Sequence, residues 1–177
     1  MNTDLKPSSD SVLYKCKKAV FRNYKKSICK WSGTVHEYIQ HVKRKHKENY
    51  FTLEKDTAKF QWKLPSLGDQ LDVGIFKHKL GHFLYEIVYK KDEGNLFFAL
   101  TCVENFGACD EYRYVLLFQK NRCRTMKLCK CSTNTDPTKT LKLIHEQKFY
   151  VLLDNNYIQS DVDSNRILEW KIGICNN

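Results

Sequence analysis

Glycine is scarce in this sequence, and long hydrophobic runs are absent from it. Only seven glycines occur among the 177 residues, and they do not cluster. A phosphate-binding loop needs several glycines close together so that the backbone can reach the phosphate groups. No stretch approaches the roughly 20 apolar residues that span a bilayer, and the first ten residues lack the basic and apolar pattern of a secretion signal. The sequence therefore argues against nucleotide-dependent chemistry, a transmembrane segment and secretion.

The signs of an oxidised, disulfide-linked protein are also missing, although the chain has eight cysteines. There is no Asn-x-Ser/Thr glycosylation acceptor, and 42% of the residues are hydrophobic. That is enough apolar material to form a core without disulfide staples. We expect a reducing compartment, the cytoplasm or the nucleus, in which the thiols are free or bound to a metal.

Acidic residues are few in the first third of the chain. Residues 1–60 hold 14 basic and 6 acidic side chains, whereas residues 61–177 hold 16 and 14, so the net charge of +10 belongs to the N-terminal segment. Such a segment attracts polyanions, nucleic acid among them, through an electrostatic term that is independent of sequence. Lysines that are simply solvated on a small domain explain the same charge. Composition alone does not separate the two interpretations.

One helix is predicted to begin after Gly33. Thr34 and Glu37 have the spacing of a capping box, in which the hydroxyl and the carboxylate each satisfy a backbone amide of the first turn. Four apolar residues then recur at helical spacing and form one stripe: Val35, Tyr38, Ile39 and Val42. A helix of about thirteen residues is not stable in isolation on such a stripe.

Beyond residue 50 the pattern changes to short runs of strand-forming residues separated by turn signals. Eight strands are predicted: Phe60–Leu64, Leu71–Phe76, His82–Tyr89, Leu96–Val103, Tyr112–Gln119, Arg124–Lys130, Phe149–Leu153 and Leu168–Ile174. This spacing is typical of an antiparallel β-sandwich, so the fold class is mainly β. The predicted organisation is a disordered leader at residues 1–12, a small zinc finger with one helix at residues 13–48, and the sandwich at residues 49–177.

Cysteine and histidine occur at zinc-ligand spacing around the predicted helix. Cys29 is followed after eleven residues by His41, and after four more by His46. A thiolate and two imidazoles can converge tetrahedrally if the helix ends or tightens near His46. Cys16 is the expected fourth ligand because it is the only cysteine upstream, although twelve residues separate it from Cys29. His36 is a competing candidate, but its place in the first helical turn favours an exposed histidine. We expect one structural Zn²⁺ ion.

A family resemblance rests on these residues. The run Cys29-Lys30-Trp31-Ser32-Gly33, followed by His41 and His46, resembles the second zinc finger of the seven-in-absentia (SIAH) proteins. The resemblance covers nearly everything after Tyr14, through these further motifs: Phe51-Thr52-Leu53, Leu80-Gly81-His82-Phe83, Phe97-Phe98-Ala99-Leu100, Val151 to Asp154, and Asn165 to Ile174. It implies that the sandwich is a TRAF-like substrate-binding domain of eight antiparallel strands that dimerises and captures extended peptides of target proteins.

The resemblance also implies a peptide-binding groove at four positions of this chain. They are Leu53, Asp72, Val73 and Ile75, and the matching segment begins at Leu71. Val73 stands where the family has tryptophan, which removes a large flat surface that commonly anchors an interface. A changed or lost peptide preference is the expected consequence. The alternative for the apolar positions Leu53 and Ile75 is that they belong to the core.

The family members are ubiquitin ligases with an N-terminal RING domain, and this sequence departs from them there. No two cysteines of these 177 residues have the Cys-x-x-Cys spacing of a RING half-site. We assign no catalytic residue, and we expect the chain to be inactive alone as a ligase. The expected function is recognition of target proteins for ubiquitin-dependent degradation, as an adaptor or regulator that dimerises with itself or with a RING-bearing relative. The alternative is a nucleic-acid-binding zinc-finger protein that uses the basic N-terminal third.

Overall fold

The computed structural model of the chain describes residues 13–16, 19–22, 25–54, 57–66, 68–103, 112–120, 123–131 and 150–176. The disordered leader predicted for residues 1–12 lies outside these ranges, as does Phe149 in the seventh predicted strand. Within the same ranges, no helix combines the length and the apolar composition needed to cross a membrane.

The fold is mainly β. Its strands are β1 (Tyr14–Lys15), β2 (Ala19–Arg22), β3 (Lys25–Ile28), β4 (Ser32–Gly33), β5 (Tyr50–Thr52), β6 (Thr57–Lys63), β7 (Gln70–His78), β8 (Gly81–Lys90), β9 (Asn95–Cys102), β10 (Tyr112–Lys120), β11 (Cys123–Lys130), β12 (Val151–Leu153) and β13 (Ile167–Asn176). Two α-helices, α1 (Val35–Lys45) and α2 (Asn155–Asp161), and a 3₁₀ turn (Lys47–Asn49) complete the described elements.

Two sheets form the body of the molecule. One has four strands in the order β11-β10-β13-β6, and the other has five in the order β12-β9-β8-β7-β5. All eight predicted strands are present within them, as β6 to β13. The ninth strand of these two sheets, β5, was not predicted; it pairs parallel to β7, with Phe51 opposite Phe76. Three residues are too few to show the alternation that identifies a strand in sequence.

The two sheets share one apolar core. Aromatic side chains from both layers meet there, with ring centroids 5.5 Å apart for Phe60 and Phe76 and 5.9 Å apart for Phe98 and Trp170. Tyr114 is fully buried in the same core and donates its hydroxyl hydrogen to the carbonyl of Phe98 at 2.9 Å. The sheets therefore pack face to face, and each keeps one face outside this core.

Helix α1 covers part of the outer face of the five-stranded sheet. Its predicted capping box is present: Glu37 N donates to Thr34 Oγ1, and Thr34 N donates to Glu37 Oε2 at 2.9 Å. The four residues of its apolar stripe are all buried. They share a second apolar cluster with three residues of the sheet region, Ile75, Leu84 and Val103. The packing of this stripe against the sheet therefore stabilises a helix that would be unstable in isolation.

The 3₁₀ turn after α1 is fixed to the sheet by Asn49. Its Nδ2 donates to Asp72 Oδ1 at 3.0 Å and to the hydroxyl of Tyr85 at 2.9 Å. Gly74 lies beneath this turn, where a Cβ atom would come within 2.5 Å of the Tyr85 ring and would clash with the backbone carbonyl oxygen of Asn49. Only a residue without a side chain allows the turn to approach the sheet so closely.

An apolar row crosses the rest of the same outer face. Leu71 pairs with Val88, Val88 with Phe97, and Phe97 with Leu152, so the row spans four strands at one register position. Leu152 is 42% exposed and the other three are partly exposed. Tyr150 packs edge-on against Phe97, with ring centroids 5.3 Å apart. We call Leu71, Val88, Phe97 and Leu152 the outer row.

Helix α2 was not predicted from the sequence. Asp154 caps it, because its Oδ1 accepts the backbone N–H of Tyr157 at 2.8 Å. Ile158 is the buried residue of the helix. A seven-residue helix with one buried side chain has too short an apolar pattern to be recognised.

Candidate metal centre

A short strand pair brings the two N-terminal cysteines together. Cys16 follows β1 and Cys29 follows β3. Strand β1 pairs with β4, with Tyr14 opposite Gly33, and Cys16 N donates to the carbonyl of Trp31 at 2.9 Å. The twelve residues between the cysteines include the β2–β3 hairpin, so the chain leaves and returns to the same place. The unusual spacing is therefore compatible with one site.

The two histidines lie at the C-terminal half and end of α1. His46 is the C-cap, with φ −134° and ψ 52°, and its N–H donates to the carbonyl of Val42 at 2.9 Å. Because the backbone leaves helical geometry at His46, the side chain of His46 can turn back toward His41, five positions earlier in the chain. The two rings meet edge to face with centroids 5.0 Å apart. The helix ends where the ligand spacing requires.

Cys16, Cys29, His41 and His46 each offer one ligand atom, and the four atoms lie within 4.8 Å of one another. The separation between Cys29 Sγ and His41 Nε2 is 3.5 Å. A tetrahedral zinc ion with ordinary bond lengths places a sulfur and a nitrogen ligand about 3.6 Å apart. Among the described residues, this is the one group of cysteine, histidine and acidic side chains close enough to hold a metal ion.

The surroundings of these four residues favour an oriented, neutral imidazole at His41, as metal binding requires. Cys16 and His46 are buried, while Cys29 and His41 are half-buried. Trp31 stacks on His41 with centroids 4.5 Å apart and planes 6° apart, which holds the imidazole in one orientation. Burial, followed by the nearby His46 and Lys45, lowers the pKa of His41. A lowered pKa favours the neutral imidazole, which is the form that binds metal.

His36, the competing candidate, is exposed and is not part of the four-residue group. The interpretation of His36 as a surface histidine agrees with this position.

The four positions of the expected peptide groove do not form an open surface. Leu53 is buried in the core between the sheets. Val73 is 3% exposed, and Ile75 is fully buried beneath α1. Asp72 is half-buried and accepts the hydrogen bond from Asn49. Leu53 and Ile75 therefore have the core position that the sequence left open, and Val73 is buried as well, so none of these three side chains offers an open surface.

Asn49 and Gly74 support the centre but have no recognisable signal in the sequence. Asn49 comes three residues after His46 and anchors the end of the helix to Asp72, which is 23 residues away in the chain. Gly74 provides the space for that anchor. Single residues separated in this way are brought together only by the fold.

In comparisons with known proteins, no protein-family model matches this chain, and no curated protein is significantly similar to it.

Proposed function

We propose that the chain binds one structural Zn²⁺ ion through Cys16, Cys29, His41 and His46. The observation that carries this proposal is the convergence of these four ligand atoms within 4.8 Å. Two thiolates and two imidazoles are a common structural zinc set, and four protein ligands leave no open position for a substrate. The ion is therefore structural, and it holds the end of α1 to the β1–β4 pair.

We further propose that the chain is a seven-in-absentia-like protein with a TRAF-like sandwich, which recognises target proteins for ubiquitin-dependent degradation. The support is the resemblance around Cys29, His41 and His46, together with two sheets that pack face to face. The proposed role is that of an adaptor or regulator of a ubiquitin ligase. Because Leu53, Val73 and Ile75 are buried, we place target recognition on the outer row, where Leu152 is exposed and Leu71 is partly exposed.

Elemental analysis of the purified full chain tests the zinc assignment. We expect about one zinc per chain, lost in Cys29→Ser and retained in Cys175→Ser. Cys175 is an exposed free cysteine on β13 and is a matched control for the loss of a thiol. Because structural zinc contributes about 10 to 16 kcal/mol of binding free energy in small fingers, Cys29→Ser should also expose the β1–α1 region to hydrogen exchange. A chain without metal, or equal zinc in the two variants, contradicts the assignment.

Affinity purification of the tagged chain from proteasome-inhibited cells tests the adaptor role. We expect enrichment of a RING-bearing relative and of proteins whose ubiquitination falls when the chain is depleted. Phe97→Ser, which changes the outer row and leaves the zinc ligands intact, should reduce recovery of the targets. In a reconstituted ubiquitination reaction, we expect no ubiquitin-chain synthesis by this chain alone. Synthesis without a partner, or unchanged ubiquitination after depletion, contradicts the proposal.

A further inference from the structure

A groove of about 470 Å³ runs along the solvent-facing side of α1, beside the metal centre. Trp31 forms one wall, and the helix contributes His36, Gln40, Arg44 and Lys45. His36, Arg44 and Lys45 are exposed, whereas Trp31 is half-buried. His41 also lines the groove, and Arg44 and Lys45 follow it by one helical turn, so the groove combines an aromatic wall with two cationic side chains.

Cationic side chains on this part of the molecule are available to a ligand. Among the residues that the structure describes, no ion pair engages Arg44 or Lys45. Glu37 also lines the groove, but Thr34 holds its carboxylate in the capping box. Lys43 lies over the ring of Tyr50 at 5.9 Å and contributes less. The positive potential of the last helical turn is thus directed at solvent, which favours an anionic ligand.

The aromatic wall distinguishes between classes of anion. The indole of Trp31 lines the groove, and His41 fixes it by stacking on one of its faces. Proteins that bind single-stranded nucleic acid combine basic side chains along the backbone with aromatic side chains that contact the bases. An acidic peptide would use the charges but would have no need of the flat wall.

We propose that this groove binds single-stranded nucleic acid, with phosphates at Arg44 and Lys45 and a base against Trp31. The adaptor function does not require this binding, so the two proposals can fail separately. Both use α1 in its folded position, and zinc content therefore serves as a check on every variant.

Fluorescence anisotropy with a labelled oligo-uridine of about twenty nucleotides tests the site on the full chain. The variant is Arg44→Gln with Lys45→Gln. The control is Lys127→Gln with Lys171→Gln, which changes the net charge equally at two exposed lysines of the four-stranded sheet. Two phosphate contacts on a single strand change the salt slope by about 1.4. If the affinities are equal at 1 M salt, this slope change corresponds to a roughly 25-fold loss of affinity at 0.1 M salt. We expect that loss in the groove variant and little change in the control.

Acrylamide quenching of tryptophan emission gives a second, local measurement. The chain has three tryptophans, and Trp62 and Trp170 are only 4% and 1% exposed. Quenching therefore reports chiefly on Trp31, and bound oligo-uridine should protect it. No binding at low salt, equal losses in both double variants, or unprotected Trp31 would overturn the proposal. Protection by poly-glutamate equal to that by the oligonucleotide would also overturn it, because the ligand would then be an acidic peptide.

Discussion

The contact of the 3₁₀ turn with β7 leads to a prediction about Gly74→Ala. Gly74 does not have a positive φ angle, so an alanine there is compatible with the backbone conformation. It would lie 2.5 Å from Tyr85 Cε1 and 2.6 Å from the Tyr85 hydroxyl oxygen, and it would also meet the carbonyl oxygen of Asn49. Neither neighbour is the end of a flexible side chain, because one is backbone and the other is a fully buried ring.

The size of the destabilisation by Gly74→Ala follows from the groups that must move to accommodate the methyl group. A normal contact of roughly 3.5 Å requires the turn or the ring to shift by about 1 Å. Overpacking of this kind costs about 1 to 3 kcal/mol, and weakening the bond from Asn49 to the Asp72 carboxylate costs about 1.5 to 3 kcal/mol. Alanine also restricts the unfolded chain, which offsets about 0.4 to 1 kcal/mol. We expect a net loss of about 2 to 5 kcal/mol in the free energy of unfolding.

Urea unfolding followed by circular dichroism measures this loss. Gly68→Ala is the matched control, because Gly68 has φ +65° and no atom within 4 Å of an added Cβ. It should lose only about 1 to 2 kcal/mol of backbone conformational energy, and Gly68→Asn should recover part of it because asparagine tolerates that region. Gly74→Ala should also release the proposed zinc ion to a chelator faster, since Asn49 anchors the segment that carries His46. A loss below about 1 kcal/mol would refute the argument that the turn is fixed against the sheet.

Three further predictions concern local hydrogen bonds. Thr34→Ala removes the N-cap of α1 and should lower the free energy of unfolding by about 1 kcal/mol. Hydrogen exchange in the first turn should be faster in this variant, whereas Thr34→Ser should be close to wild type. Equal exchange rates in the two variants would contradict the capping role of Thr34. The backbone and hydroxyl hydrogen bonds from Thr34 lower the pKa of Glu37. The Glu37 carboxylate therefore stabilises the fold above the unfolded-state pKa of about 4.3, and this contribution is lost as pH falls through the lower folded pKa. Plots of unfolding free energy against pH for wild type and Glu37→Gln should converge below pH 4. Parallel plots would contradict a contribution from the ionised carboxylate. Asp163 Oδ1 accepts hydrogen bonds from the backbone N–H groups of Asn165 at 2.9 Å and Ile167 at 2.7 Å. Asp163→Ala should therefore lower the free energy of unfolding in urea by about 1 to 3 kcal/mol, and Asp163→Asn should give an intermediate loss. An unchanged free energy in Asp163→Ala would mean that the turn is stable without these two hydrogen bonds.

Local signals in the sequence predicted the parts of this fold that form within a few residues. The capping box at Thr34 and Glu37 fixed the start of α1, and the alternation of apolar residues located β6 to β13. The proximity of Cys29 to His41 and His46 also followed from spacing, because both histidines lie on or at the end of one helix.

Contacts between distant residues could not be predicted in the same way. The parallel pairing of Tyr50 with Ile75 and the anchor from Asn49 to Asp72 depend on where the sheet places β7. The sequence offered Leu53 and Ile75 either as peptide contacts or as core, and only the packing of α1 and of the two sheets places them inside. The outer row likewise becomes visible only when the strand registers are known.

The long spacer between Cys16 and Cys29 has a consequence for how the chain tolerates change. The pairing of Tyr14 with Gly33 and the bond from Cys16 N to Trp31 hold the two cysteines in place, and neither lies within the spacer. Doubling the length of a flexible closed loop adds only about 0.6 kcal/mol of closure entropy. The spacer contains the β2–β3 pair, which is hydrogen-bonded to no other strand of the described residues. A peptide inserted between these two strands should therefore leave the affinity for the proposed zinc ion within a few-fold of wild type. The site is better recognised by the strand pair that closes it than by a fixed distance between its cysteines.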